Sequence, residues 1–152
     1  MTRSMTLREL EALVGQEVGR SDWLVVTQER IDMFAEATGD RQWIHVDTER
    51  AKRELPDGRT IAHGNLILSL IPLLSEQIKR VVGIDQAINY GFNRVRFVQP
   101  VNVGDAIRIT EKVLAFEPAG ENSVRVRSGI EIAKKGADGI VCAVEEITLY
   151  RS

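Results

Sequence analysis

The chain reads as an α+β fold, an antiparallel β-sheet wrapped around a long central α-helix, and three observations point there. A stretch beginning at Asn65 is apolar on nearly every side through Leu74, which suits only a helix enclosed by protein. Four consecutive segments after Gly83 are rich in β-branched residues. Turn residues separate them at Pro100 to Gly104, Glu117 to Asn122 and Lys135 to Gly139. The sheet would hide the helix and the helix would fill the sheet. A helix packed on a flatter sheet satisfies the same pattern, because the pattern fixes what is buried and not the curvature.

The elements follow in order. Thr6 and Glu9 have capping-box spacing, and Leu7, Leu10, Leu13 and Val14 then share one helical face that Gly15 ends. Trp23 to Val26 is a strand-like apolar patch. Thr27 can cap a second helix with Ile31, Phe34, Ala35 and Thr38 on one side, closed by Gly39. Residues 40–47, Asp-Arg-Gln-Trp-Ile-His-Val-Asp, form a loop too polar for core and too rich in large side chains for a linker, so function is expected there. Asp47 starts a small helix over Thr48 to Leu55, and Pro56-Asp57-Gly58 turns the chain. The buried helix is expected over Asn65 to Val82, amphipathic only towards Lys79 and Arg80. Pro72 removes one of its internal hydrogen bonds, which predicts a kink or break near Leu68 to Ile71. The strands are Ala87 to Val98, Asp105 to Phe116, Ser123 to Lys134 and Gly139 to Arg151, with alternation clearest in Ile107-Arg108-Ile109 and Val124-Arg125-Val126-Arg127.

Bulk properties narrow the classes of function. A length of 152 residues fits one domain over residues 1–152. Hydrophobic residues make up 43%, charged residues 28%, and the net charge of -2 gives no pull towards nucleic acid. The lone Cys142 lies in an apolar run, so one chain can build neither a disulfide nor a cysteine metal site from it, and it reads as core filler. Arg3 and Arg8 are followed by Glu9 and Glu11, not by a long apolar stretch, so a cytoplasmic protein is the expectation. The run Leu66 to Leu74 is interrupted by Ser69 and Pro72 and is shorter than the ~20 residues a bilayer span requires, so no membrane partner is expected.

Two constellations carry chemistry. Asp40 and His45 share the loop after the second helix, and a carboxylate with an imidazole can hold one water and divide the moving of its protons. The plainer reading is a turn aspartate and a hydrogen-bonding histidine. Ala62-His63-Gly64 stands just before the buried helix. The first helical turn leaves unpaired N–H groups, and Gly64 lets a ligand carbonyl approach the backbone, so an oxyanion site is plausible beside a simple helix entry. His63 is given no catalytic role and reads as a helix-entry hydrogen-bonding group.

Four segments together carry a resemblance. Thr38-Gly39-Asp40-Arg41-Gln42-Trp43-Ile44-His45-Val46-Asp47, Thr60-Ile61-Ala62-His63-Gly64-Asn65-Leu66-Ile67-Leu68-Ser69-Leu70, Asn89-Tyr90-Gly91-Phe92-Asn93-Arg94-Val95-Arg96-Phe97 and Pro100-Val101-Asn102-Val103-Gly104-Asp105 resemble the MaoC-like, (R)-specific enoyl-CoA hydratases. The resemblance implies the hot-dog fold and a homodimer whose two sheets join edge to edge. It also implies reversible hydration of trans-2-enoyl-CoA to (R)-3-hydroxyacyl-CoA. The substrate partner would be an acyl-CoA or acyl-carrier-protein thioester, with coenzyme A present only as part of the substrate and no separate cofactor or metal. Asp40 and His45 take the place of the family's catalytic pair, and Gly64 that of the backbone donor to the thioester carbonyl. Gln42-Trp43 stands where the common family loop has Asn-Pro, as in a subgroup that resembles nodulation protein N. Asn65 follows Gly64 where many relatives are apolar, which implies a more polar pocket mouth.

Further residues have two readings each. Trp43 walls an acyl pocket or anchors packing, and Arg94 with Arg96 pairs CoA phosphates or stays solvated. Asp47 is read as a helix cap and not a third catalytic carboxylate, while Tyr90 and Gly91 bend the first long strand. Two other functions stand beside the hydratase. An acyl-CoA thioesterase would direct attack at the carbonyl carbon, and a non-catalytic acyl-CoA-binding module would bind without turnover.

Overall fold

Thr6 closes the first strand and opens the first helix. In the computed structural model, which describes residues 2–152, β1 (Arg3–Thr6) runs into α1 (Leu7–Glu11). The capping box forms: Thr6 Oγ1 accepts from the Glu9 N–H at 3.3 Å, and the Glu9 carboxylate accepts from the Thr6 N–H at 2.7 Å. The helix stops short of the expected Gly15, which instead turns at φ 84° and donates to the Val113 carbonyl at 2.8 Å. Next come β2 (Glu17–Arg20) and β3 (Leu24–Val25). β2 was not foreseen, because it has no alternation of its own and exists by pairing with residues 110–112.

Helices α2 (Gln28–Thr38), α3 (Trp43–Val46) and α4 (Thr48–Glu54) follow. The buried helix is α5 (Gly64–Ser69) and α6 (Ile71–Ile78), broken at Leu70. Pro72 sits in the first turn of α6, where its missing N–H costs least, so the expected break is present. The helix does not reach Val82, however. β4 (Lys79–Val82) pairs in parallel with β1 in place of a last helical turn. β5 (Gln86–Phe97), β6 (Ala106–Pro118), β7 (Ser123–Lys134) and β8 (Ile140–Arg151) complete the chain.

The main sheet runs β2-β6-β7-β8-β5 with antiparallel pairing, and β3 adds to β6 beyond β2. Alternation decides its faces: Ile107 and Ile109 of β6, Ile130 and Ile132 of β7, and Cys142 and Val144 of β8 are buried. They form one cluster with Leu66, Ile67, Leu70, Ile71, Leu74 and Ile78 of the broken helix. Register irregularities at Asn89/Gly91, Phe92/Arg94, Val113/Ala115 and Ile132/Ala133 bend and twist the strands. The sheet therefore wraps the helix, as a hot-dog fold does. Each buried Leu or Ile contributes about 1.5–3 kcal/mol relative to exposure, so this seam dominates the stability.

At the C-terminal end of the helix a polar knot is buried. Lys79 of β4 pairs with Glu111 of β6, both nearly inaccessible. Ser75 of α6 and Ser128 of β7 donate to the same carboxylate at 2.8 and 3.0 Å. Among the described residues no helix is long and apolar enough to cross a membrane.

Candidate active site

Two helix caps deliver Asp40. Thr27 Oγ1 accepts from the Arg30 N–H at 3.2 Å to start α2, and Gly39, at φ 79°, ends it with its N–H on the Ala35 carbonyl at 2.9 Å. That left-handed turn suits glycine and throws the chain outward at Asp40. The Asp40 carboxylate is exposed, and its nearest tie is a long 3.5 Å contact from the Gln42 N–H.

His45 sits on α3, one turn further, and is only 7% exposed. Its Nδ1 lies 2.5 Å from the Ile61 carbonyl. A carbonyl only accepts, so Nδ1 carries the proton and Nε2 is left as a bare lone pair. Gln28 of α2 fastens this turn: its Nε2 donates to the His45 carbonyl at 2.8 Å, and its Oε1 accepts from Thr60 Oγ1 at 2.6 Å. No sequence signal marks Gln28 or Thr60, whose roles arise only from tertiary placement.

His63 joins the group. Its ring stacks on His45 with centroids 3.8 Å apart and planes 24° apart, and Phe34 tilts against it at 4.9 Å. Its Nε2 is 2.9 Å from the Asp40 main-chain carbonyl, so by the same argument Nε2 carries the proton. Its Nδ1 is buried without a partner. Donor atoms of Asp40, His45 and His63 all lie within 4.8 Å of one another. Such a set offers a cation three ligand atoms, and it equally offers a carboxylate and two imidazoles that can exchange protons with a small molecule.

Gly64 opens α5, whose N-terminus no side chain caps, so the N–H groups of its first turn are available to a ligand. Gly64 borders a cavity of about 420 Å³ walled by Ile61, Ile67, Phe97, Val98 and Val141. A Cβ at Gly64 would stand 3.1–3.3 Å from the Phe97 ring. A side chain there would press on the Phe97 ring, which is half exposed and would have to shift by a few tenths of an ångström.

The remaining candidates lie apart from this cluster. Trp43 is half-buried under the Arg50 guanidinium, 4.0 Å from its ring centroid, which ties α3 to α4. Asn65 is exposed on the first turn of α5. Arg94 and Arg96 project from β5 into an open cleft of about 970 Å³. That cleft shares Phe97 and Val98 with the smaller cavity. Asp47 accepts from the Arg50 N–H at 2.9 Å and is a helix cap.

Comparison with known proteins gives the family. Residues 9–135 match the family described as MaoC like domain. The 3-hydroxyacyl-thioester dehydratase Z of Mycobacterium tuberculosis is 43% identical over 145 residues, 95% of each chain. Nodulation protein N of Rhizobium leguminosarum is 44% identical over 105 residues, 68% of this chain and 65% of that protein. The R-hydratase PhaJ1 of Pseudomonas aeruginosa superposes with a TM-score of 0.71 at 25% identity, over 91% of this chain and 82% of that one.

Proposed function

We propose, since this chain belongs to the MaoC-like domain family, that it reversibly adds water to trans-2-enoyl-CoA to give (R)-3-hydroxyacyl-CoA. It is a hydratase/dehydratase by the company it keeps, a mycobacterial 3-hydroxyacyl-thioester dehydratase and a pseudomonad R-hydratase. The observation that carries the site assignment is a ring nitrogen of His45 within 4.8 Å of an Asp40 carboxylate oxygen, on a ring whose Nδ1 is tied to the Ile61 carbonyl. With donor atoms within 4.8 Å, one water can bridge the two, since two hydrogen bonds of about 2.8 Å reach that far.

The water donates one hydrogen bond to Asp40 and the other to His45 Nε2. His45 takes a proton as the oxygen bonds to C3, and the C2–C3 π pair moves onto the thioester as an enolate. Hydrogen bonds from the first turn of α5, Gly64 foremost, stabilise the enolate oxygen. The proton on His45 then goes to C2, so water is added across the double bond and the imidazole is regenerated. The thioester supplies the electron sink, so neither a metal nor a redox cofactor is called for. Phe97, Val98 and Ile67 would receive the acyl chain. Arg94 and Arg96 would meet CoA phosphates, with Trp43 and Asn65 shaping the approach.

The same reading treats residues 1–152 as one hot-dog domain acting in the cytoplasm as a homodimer. β5 ends the sheet with a free edge of 12 residues, and Ile88, Tyr90, Phe92, Phe97 and Val98 on or beside it are exposed. Such an edge needs a partner strand.

The test is turnover of crotonyl-CoA. Asp40→Asn and His45→Ala are expected to fold normally and lose on the order of 100-fold or more in kcat. Turnover close to that of the parent in either variant counts against the pair. Loss of enoyl absorbance without release of thiol supports hydration, while thiol release would reassign the chain to thioester hydrolysis.

A further inference from the structure

We infer that His63 is a positioning residue that holds Asp40 and His45 in register. The inference rests on the reading of those two as the reacting pair. Asp40 is exposed, and its carboxylate has only one long tie of its own, yet a catalytic carboxylate must be held to within a fraction of an ångström. His63 supplies the missing restraint through the main chain, by donating Nε2–H to the Asp40 carbonyl at 2.9 Å. On its face it carries the His45 ring at 3.8 Å, so the plane set by Ile61 is also held from the side. One residue thus touches both members of the pair and is bonded to Gly64, the donor proposed for the thioester.

The bare Nδ1 distinguishes this from ordinary packing. His63 is 2% exposed, and Nδ1 has no hydrogen-bond partner. An unpaired buried polar atom costs about 1–3 kcal/mol. A phenylalanine would fill the same space between Phe34 and His45 without that cost. What phenylalanine lacks is the Nε2–H that reaches Asp40, so the imidazole is there for that donor.

Three variants separate the parts. His63→Ala removes donor and ring, His63→Gln keeps an amide N–H of similar reach, and His63→Phe keeps only the stacked ring. Turnover is measured with crotonyl-CoA per folded molecule, counted by calorimetric titration with the unreactive butyryl-CoA. His63→Ala is expected to lose on the order of 100-fold in kcat, the effect of misplacing a catalytic group by about 1 Å, with KM changed by less than roughly threefold. His63→Gln is expected to recover at least roughly tenfold over His63→Ala, and His63→Phe to stay near His63→Ala. A His63→Ala kcat near the parent value overturns the proposal, as does recovery by Phe but not Gln, or a loss confined to KM. Asp40→Asn and His45→Ala in the same assay keep the two readings apart. If they remain active the catalytic pair itself is wrong, and if they are dead while His63→Ala is not, only the positioning role fails.

Discussion

The two ends of the central helix handle buried polarity in opposite ways. At the C-terminal end every polar atom of the knot is used: Glu111 receives Lys79, Ser75 and Ser128, and Lys79 also donates to Ser75 at 3.1 Å. At the N-terminal end, by contrast, His63 is just as buried but keeps its Nδ1 without a partner, while the neighbouring His45 ties only Nδ1, to the Ile61 carbonyl. Satisfied polar groups rigidify a fold, while unsatisfied ones are costly unless something else uses them. On the proposed reading, the N-terminal end is the one that meets the substrate.

Removing a partner from the knot gives the largest effect and leaves the chemistry alone. Glu111→Ala strands the Lys79 charge in the interior and is expected to cost about 3–5 kcal/mol, measured by urea unfolding. Turnover per folded molecule should stay within roughly twofold of the parent, and a loss like that of His45→Ala would erase the distinction between the ends. A smaller effect is expected from Gly64→Ala. Its methyl would meet the half-exposed Phe97 ring at 3.1–3.3 Å and push it aside at the wall of the smaller cavity. Here the expected outcome is a severalfold rise in KM for crotonyl-CoA with a modest fall in Tm, and an unchanged KM would remove Gly64 from the binding wall.

The smallest effect concerns pH. Burial pushes the Glu146 carboxyl above its ordinary value of 4.5, the Glu111 charge pushes the same way, and Lys79 opposes both. A carboxyl raised by folding binds its proton more tightly in the native state, so its contribution is present in full below the ordinary carboxylate range. It is lost as pH rises through the raised value. Glu146→Gln should flatten this decline, a fraction of the Glu111 effect, in urea midpoints taken from pH 4 upward. An undiminished slope would assign the decline to another group.

Much of the fold is legible in the sequence where local chemistry decides. Thr6 with Glu9, Thr27 with Gly39, and Pro72 each dictate a cap or a break within a few residues, and all three appear where expected. The alternation in Ser123–Lys134 likewise marks β7. What was missed depends on distant partners. Lys79–Val82 continues a helical pattern, yet it becomes a strand because Arg3–Thr6 lies beside it and Lys79 finds Glu111. The site divides in the same way. Residue type and neighbourhood bring out Asp40, His45 and Gly64, whereas Gln28, Thr60 and the stack of His63 on His45 join segments that only folding brings together.

The solitary cysteine has a practical consequence. Cys142 is buried behind the helix, and burial pushes its thiol above the usual range, so it is expected to react slowly with sulfhydryl reagents in the folded protein. Free coenzyme A released during an assay can therefore be counted colorimetrically with little background from the protein. For the same reason, a cysteine introduced along β5 would be a single reactive handle on the surface, ready for a label that tests whether this edge pairs with a second copy.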